Sequence, residues 1–509
     1  METREDLEKE RPAESGPVYD EVEVVLSDAH LSEGPILNVV RKPRPIVRAW
    51  RAVFGRQAEP RIMQLPNSLE DFPDDTVFVS FLDRIVEKHG DAGVLRLRLM
   101  GDMFDFLAVP WHGELKDPPF ESVAWSKMKR IIAGHTAFFD ALAAFVRRAN
   151  ARLDIFVGNH DVHLVWPKVQ ACILDRLCGR EEALRERVRF IDQRQGFRDI
   201  YRGVLYDHGM NAEVHTAIDR NNVILKTGVG GIHLKRPVLN QPLGNYMTIG
   251  LAQPLKLRNK LIGRMPTEKD IWLHAAKFNW KWGLYAGLMV LWIFIYNQFF
   301  AFWDIRRKTG LLTVLRVVLA TYRKNPVEAW SMKLLGQDGV RVVVTGHSHI
   351  ERRVTGPDGT FINTGTWSKK LRFVWPQFPR LWKRFRWLEP AWRSTVHFFR
   401  TGELRLATKI MKVIGFLVLV AALATFLLTN FPEHSPDFVT WHPNDLKVYA
   451  ALALVFIVTV GLWKFLTVEP DTELATRYTF ALVRHRPDGT LNAELMEYFP
   501  SDGSFRECV

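Results

Sequence analysis

Short apolar runs alternate with amphipathic stretches through the first 210 residues, and several of the runs stop at a small polar cluster. Val22–Leu26 reads as a buried strand leading into Ser27-Asp28-Ala29-His30. Val77–Lys88 has helical periodicity, and Val94–Met100 reads as the strand that feeds Gly101-Asp102. Residues 121–149 read as helical, with Phe138, Phe139, Leu142, Phe145 and Val146 on one stripe. Leu153–Val157 delivers Gly158-Asn159-His160-Asp161, and Tyr201–Tyr206 leads to His208. After a long interval, Val342–Thr345 ends in Gly346-His347-Ser348-His349. A turn at Gly356-Pro357-Asp358-Gly359 and a return strand Thr360–Thr364 follow. The last segment repeats that hairpin pattern, with Thr476–Arg484, a turn at Pro487-Asp488-Gly489 and Thr490–Phe499. The alternation predicts an α/β layered-sheet domain, with the final hairpin returning to the same sheet.

Between these elements the pattern changes from amphipathic to uniformly apolar. Residues 413–431 carry no charge over 19 positions, about 28 Å as a helix against a bilayer core of roughly 30 Å. Residues 448–463 are shorter, and Lys447 and Lys464 can snorkel at their ends. The loop 432–446 holds Glu433, Asp437 and Asp445 but no Lys or Arg, so the positive-inside rule predicts a transmembrane hairpin with both flanks in the cytoplasm. A third uncharged run, 282–303, has basic residues at both ends (Lys277, Lys281, Arg306, Arg307, Lys308). Polar clusters lie on both sides of it, and if they meet in one site a single crossing would separate them. An in-plane or re-entrant segment is therefore expected there. The resulting organisation is a polar tail at 1–17, a core at 18–210, a lid-like helical insertion at 211–337 and more core at 338–368. A basic-aromatic and membrane segment follows at 369–470, and a returning hairpin at 471–509.

Composition sharpens this picture in two places. An apolar content of 47% with 25% charged residues describes a folded chain, and the net charge of +13 calls for an anionic partner. The three cysteines lack metal-ligand spacing and are expected as thiols in a reducing compartment. The stretch 367–400 interleaves five tryptophans with nine Lys and Arg residues and only Glu389 as an acid. Such a stretch can bind single-stranded nucleic acid, but beside an apolar run it fits acidic headgroups better.

The polar clusters carry the chemistry. Asp28, His30, Asp102, Asn159, His208, His347 and His349 are seven residues of metal-ligand type, arranged in the order expected of a two-metal hydrolytic site. Two divalent ions can clamp a phosphate and activate water, which requires mixed nitrogen and oxygen ligands and one bridging carboxylate. Asp102 is the expected bridge, with Asp28, His30 and His349 completing one metal and Asn159, His208 and His347 the other. His160 is expected to reach the phosphate and protonate the leaving group, and Asp161 to orient His160. Asp105 is expected to cap or support the site. His112, His135, His163 and His215 are expected to be ordinary histidines, and Arg96 and Arg98 solvated or at a sheet edge.

The D-x-H, G-D-x-x-D, G-N-H-D, H and G-H-x-H series resembles the calcineurin-like metallophosphoesterases over residues 20–210 and 338–368 and the final hairpin. The resemblance implies a four-layer αββα sandwich and a pair of Mn, Fe or Zn ions. Ser27–Leu31, Gly101–Asp105, the long insertion after His208 and Asn363–Trp367 look like the UDP-2,3-diacylglucosamine pyrophosphohydrolase branch, which carries an acyl-binding lid in that interval. This chain departs from the branch at His160, where the branch often has Arg, and at Met210, where it has Asp. The expected function is hydrolysis of a phosphoester or pyrophosphate bond in an amphipathic, lipid-linked substrate at the cytoplasmic face of the cell membrane. The rivals are a tethered phosphodiesterase or nuclease for soluble nucleotides, and a non-catalytic scaffold.

Overall fold

A computed structural model describes residues 19–41, 61–227, 233–258, 326–368, 370–374 and 471–508. The apolar runs 282–303, 413–431 and 448–463 and most of the basic-aromatic stretch lie outside the described residues. Among the described residues, no helix is long and apolar enough to cross a membrane. The chain divides into two units, Met1–Leu371 with Ala475–Val509, and Arg372–Leu474. In the second, the described residues lie in β14 (Lys370–Val374) and β15 (Asp471–Ala475), which pair with each other.

The first unit is a mixed α/β structure with several sheets. Its larger sheet has seven strands in the order β18-β17-β16-β1-β4-β5-β6. In it β1 (Glu21–Leu26), β4 (Val94–Met100), β5 (Ala151–Phe156) and β6 (Val188–Ile191) run parallel. The C-terminal strands β16 (Tyr478–His485), β17 (Leu491–Phe499) and β18 (Ser504–Glu507) add antiparallel, β16 pairing directly with β1. A five-stranded sheet is ordered β12-β13-β11-β8-β7. In it β8 (Val204–Asp207), β11 (Val342–Thr345) and β13 (Gly359–Asn363) are parallel, with β7 (Arg198–Tyr201) and β12 (Arg352–Gly356) antiparallel at the edges.

Side-chain alternation along β4 shows how the sheets layer. Leu95, Leu97 and Leu99 face the core that contains α1 (Asp75–His89), α2 (Glu121–Gly134), α3 (Thr136–Val146) and α4 (Pro167–Cys178). Met100 faces the other way, packing with Val25, Phe156 and Ile191 against Val204, Tyr206, Val342, Val344 and Ile362 of the smaller sheet. A third apolar cluster joins the far side of that sheet, through Leu205, Val343 and Phe361, to Met332 and Leu334 of a helix at Pro326–Leu334. Parallel strands covered on both faces read as continuous apolar runs, as Val342–Thr345 does, whereas Val94–Met100 was legible by apolar residues alternating with Arg96 and Arg98.

The structure corrects four expectations. The helix expected over 121–149 breaks at His135, because Gly134 packs against the backbone of Glu33 and Gly34 with no room for a side chain. Tyr201–Tyr206 is not one strand but the turn of a hairpin, with Arg202 (φ 48°) and Gly203 (φ 82°) both left-handed between β7 and β8. Arg98 is neither solvated nor at an edge: it is fully buried between the sheets. Arg96 keeps a 14% exposed side chain and pairs with Glu21. Lastly, the insertion after His208 begins as a two-stranded ribbon, β9 (Ile224–Thr227) with β10 (His233–Leu239). Among the described residues of the insertion, helix follows at Leu243–Met247 and Gln253–Arg258, joined through a π-turn at Thr248–Ala252, and again at Pro326–Leu334.

Candidate metal centre

Every one of the seven candidate ligands follows the C-terminal end of a strand. Asp28 and His30 come after β1, Asp102 after β4, Asn159 after β5, His208 after β8, and His347 and His349 after β11. Those strands belong to both sheets, and the open end of a parallel sheet is where ligands bind in α/β folds. Among the described residues nine non-glycine positions have positive φ, and five of them are candidate ligands: Asp28, His30, Asp102, His347 and His349. Left-handed backbone costs energy for residues with a Cβ and persists where the surroundings enforce it. Gly158 and Gly346 make the convergence possible, since a Cβ on Gly158 would strike Asp102 Oδ1 and one on Gly346 would strike Ser27 and Asp28.

The donor atoms gather in groups that could hold a metal ion. Ligand atoms of Asp28, His30 and His349 lie within 4.8 Å of one another, and so do those of Asp102, His208 and His347. In the first group His30 Nε2 and His349 Nε2 face each other at 3.0 Å, with Asp28 Oδ1 at 3.9 Å and 3.1 Å respectively. Asp28 Oδ2 is occupied, accepting from the Ser27 hydroxyl at 2.5 Å and the His347 amide at 2.8 Å, whereas its buried Oδ1 has no hydrogen-bond partner. In the second group His208 Nδ1 donates to Met100 O at 2.9 Å, which leaves Nε2 as the donor atom, 3.3 Å from Asp102 Oδ2. Neither His208 Nε2 nor Asn159 Oδ1 has a hydrogen-bond partner, and both are buried. Buried polar atoms without partners are costly. Three of them, on three ligands and in an N/O donor set, fit a seat for divalent cations.

The buried carboxylates and imidazoles of the cluster hold one another in their charged forms. Burial alone would lift the Asp28 carboxyl, but His208 and His349 outweigh it and hold it down at about 2. Asp102, fully buried as well, is held well below the usual carboxylate range by His208 and His160. Burial opposes a charged imidazole at His208, yet Asp102 and Asp28 raise it to about 10.

His160 lies at the edge of this cluster, its ring 4.7 Å from that of His30. With His30 and Asp102 it forms a third group of close donor atoms. Burial works against its charged form, but Asp105 and Asp102 raise it to about 9, which favours the imidazolium. Its orienting partner is not Asp161. His160 Nδ1 lies 3.0 Å from Asp105 Oδ1, while Asp161 accepts from the amides of Gly158 (2.6 Å), Met103 (3.0 Å) and Phe104 (3.3 Å). Asp161 thus staples the loop after β5 to the loop after β4, and its three amide donors leave it turned away from the imidazole beside it in sequence. Asp105 also caps the 3-10 turn at Leu107 and Ala108, and its Oδ2 lies 3.8 Å from His30 Nδ1.

The remaining histidines are more engaged than the sequence suggested. Buried His135 sits between Asp75 (2.7 Å) and Glu70 (3.1 Å), and buried His163 lies 2.7 Å from Asp117. His215 Nε2 is 3.3 Å from Glu213, whose carboxylate also lies 3.6 Å from His347. His112 is exposed on a turn at φ 49°. Residues 363–367 buttress the centre from behind. The Thr364 hydroxyl is 2.7 Å from that of Ser27, Thr366 donates to Asp28 O at 2.6 Å, and Asn363 donates to Gly346 O at 2.6 Å. The insertion reaches the centre too, because Asn245 Nδ2 donates to Asn159 O at 2.8 Å. No family model matches the chain, and no curated protein is significantly similar to it.

Proposed function

We propose that the chain is a two-metal phosphoester or pyrophosphate hydrolase with the four-layer αββα sandwich of the calcineurin-like metallophosphoesterases. The observation that carries this reading is the convergence of Asp28, His30, Asp102, His208, His347 and His349 from four strand ends on two adjoining groups of donor atoms, with Asp28 Oδ1, Asn159 Oδ1 and His208 Nε2 left without hydrogen-bond partners. Asp28, His30 and His349 would hold one ion and Asn159, His208 and His347 the other, with Asp102 between them. When bound, such a Mn, Fe or Zn pair clamps a phosphate and generates a nucleophile at neutral pH. The chain's own residues supply the rest. His160, protonated and held by Asp105, donates to the departing oxygen, and Asp161 keeps the two ligand loops in register. The net charge of +13 and the apolar runs outside the described residues support a lipid-linked phosphate substrate at the cytoplasmic membrane face.

A metal-supplemented hydrolysis screen of phosphorylated lipids, nucleotide-linked lipids and soluble nucleotides, with the His160→Ala variant alongside, tests this. The expected result is metal-dependent release from an amphipathic substrate that falls about 10²–10⁴-fold in the variant. Equal turnover of soluble nucleotides would instead favour a tethered phosphodiesterase, and no metal-dependent turnover of any substrate would favour a scaffold.

A further inference from the structure

We infer that the β9–β10 ribbon is a docking wing for an anionic lipid surface. Between Asp219 and Glu268 the chain contains eight Lys and Arg residues and no acid. The ribbon lies within that stretch and exposes Lys226 on β9 and His233, Lys235 and Arg236 on β10. Among the described residues none of these cations has an ion-pair partner. Several exposed cations elsewhere in the unit do, as in Arg189 with Asp199 and Arg202 with Asp20. A two-stranded ribbon of four and seven residues that leaves its cations without ion pairs presents a one-sign surface, and its natural complement is a negatively charged plane.

The base of the ribbon fixes where it stands. Leu239, buried at 1% exposure, donates its amide to Pro119 O, and Asn240 donates to Val223 O. Two residues beyond Leu239, Gln241 bonds Asp117, and Asn245 then touches the backbone of the candidate ligand Asn159. The wing is therefore rooted in the segment that contacts the metal centre. Its side chains favour lipid over nucleic acid. Residues 221–241 contain no Phe, Tyr or Trp for bases to stack on, and between the cations they offer aliphatic Leu225, Leu234 and Val238. Each Lys or Arg close to an anionic bilayer adds about fivefold to partitioning, so three together are worth on the order of 100-fold. The inference does not depend on what the metal centre hydrolyses.

The test is photocrosslinking of the full chain in vesicles, with benzoylphenylalanine replacing exposed Thr227. A phospholipid adduct is expected in phosphatidylglycerol–phosphatidylcholine vesicles. It should fall at least tenfold in phosphatidylcholine alone, and as far when Lys226, Lys235 and Arg236 are all changed to Gln. Lipid crosslinking that ignores headgroup charge or the triple substitution would overturn the proposal. So would the absence of any lipid adduct, or preferential crosslinking to an added single-stranded oligonucleotide.

Discussion

Strand β1 serves two clusters of buried charge, and their hydrogen bonding differs. Glu23, within the strand, and Asp28, just past its end, are both 0% exposed. Glu23 is saturated: Arg98 Nε bonds one oxygen, and the Tyr206 hydroxyl (2.8 Å) and His485 Nε2 (2.7 Å) meet the other. Arg98 continues to Asp154 and Asp199, each at 2.8 Å, and stacks 3.9 Å from the Tyr206 ring centre. No member of that network is left-handed. Asp28, by contrast, has a left-handed backbone, an oxygen without a hydrogen-bond partner, and the ring nitrogens of His30 and His349 beside it, 3.0 Å from each other. Around Glu23 one buried donor, Arg98 Nη2, lacks a hydrogen-bond partner on a guanidinium that lies over the Tyr206 ring, whereas around Asp28 the atoms without partners belong to groups that could hold a metal ion. Buried charge alone therefore does not mark a site; unsatisfied atoms together with an enforced backbone do.

The largest effect that would break this contrast is loss of the shared carboxylate. Asp102→Asn is expected to lower metal-dependent hydrolysis by three or more orders of magnitude, checked by steady-state kinetics. Arg98→Met should instead cost about 3–5 kcal/mol in denaturant unfolding because Glu23 and Asp154 are left buried without their cation. Metal binding by its folded fraction should be unchanged, and a mild Arg98→Met phenotype would show that the two clusters are not distinct in kind.

Next in size is His135. Burial opposes its charge, but Asp75 and Glu70 raise it to about 9, above roughly 6.5 in the unfolded chain. Its stabilisation should be complete below about pH 6.5 and be lost as pH rises through 9, up to about 3 kcal/mol. His135→Gln should remove that slope from the stability–pH profile. The smallest effect concerns Asp105. Asp105→Asn is expected to reduce kcat about 10–100-fold with metal content unchanged, and to lower the alkaline limb of the kcat–pH profile, because His160 loses its counter-charge. A loss of metal instead would place Asp105 among the ligands.

The apolar runs and the ligand clusters were readable because they are local. Val94–Met100 and Val342–Thr345 are buried on both faces and carry their own boundaries, and each cluster sits just past such a run. What could not be read was decided across the chain. The helix break at His135 depends on Gly34, a hundred positions away. Arg98 looked solvated because its partners come from β1, β5 and β7, all distant in sequence. Adjacency pointed to Asp161 as the partner of His160, yet the turn after Asn159 sends that carboxylate to three amides and brings Asp105 to the ring instead. Asp105 did carry one usable signal, its place three residues beyond Asp102 in the Gly101–Asp105 motif.

The central claim is that seven residues at five strand ends form a seat for two divalent ions. Calorimetric titration of metal-stripped full-length protein with Mn²⁺ or Zn²⁺, with metal content measured after desalting, tests it most directly. Two ions per chain are expected, falling to one or none in Asp102→Asn and remaining two in Arg98→Met. Failure of the parent protein to retain any ion, or a stoichiometry that Asp102→Asn leaves unchanged, would contradict it.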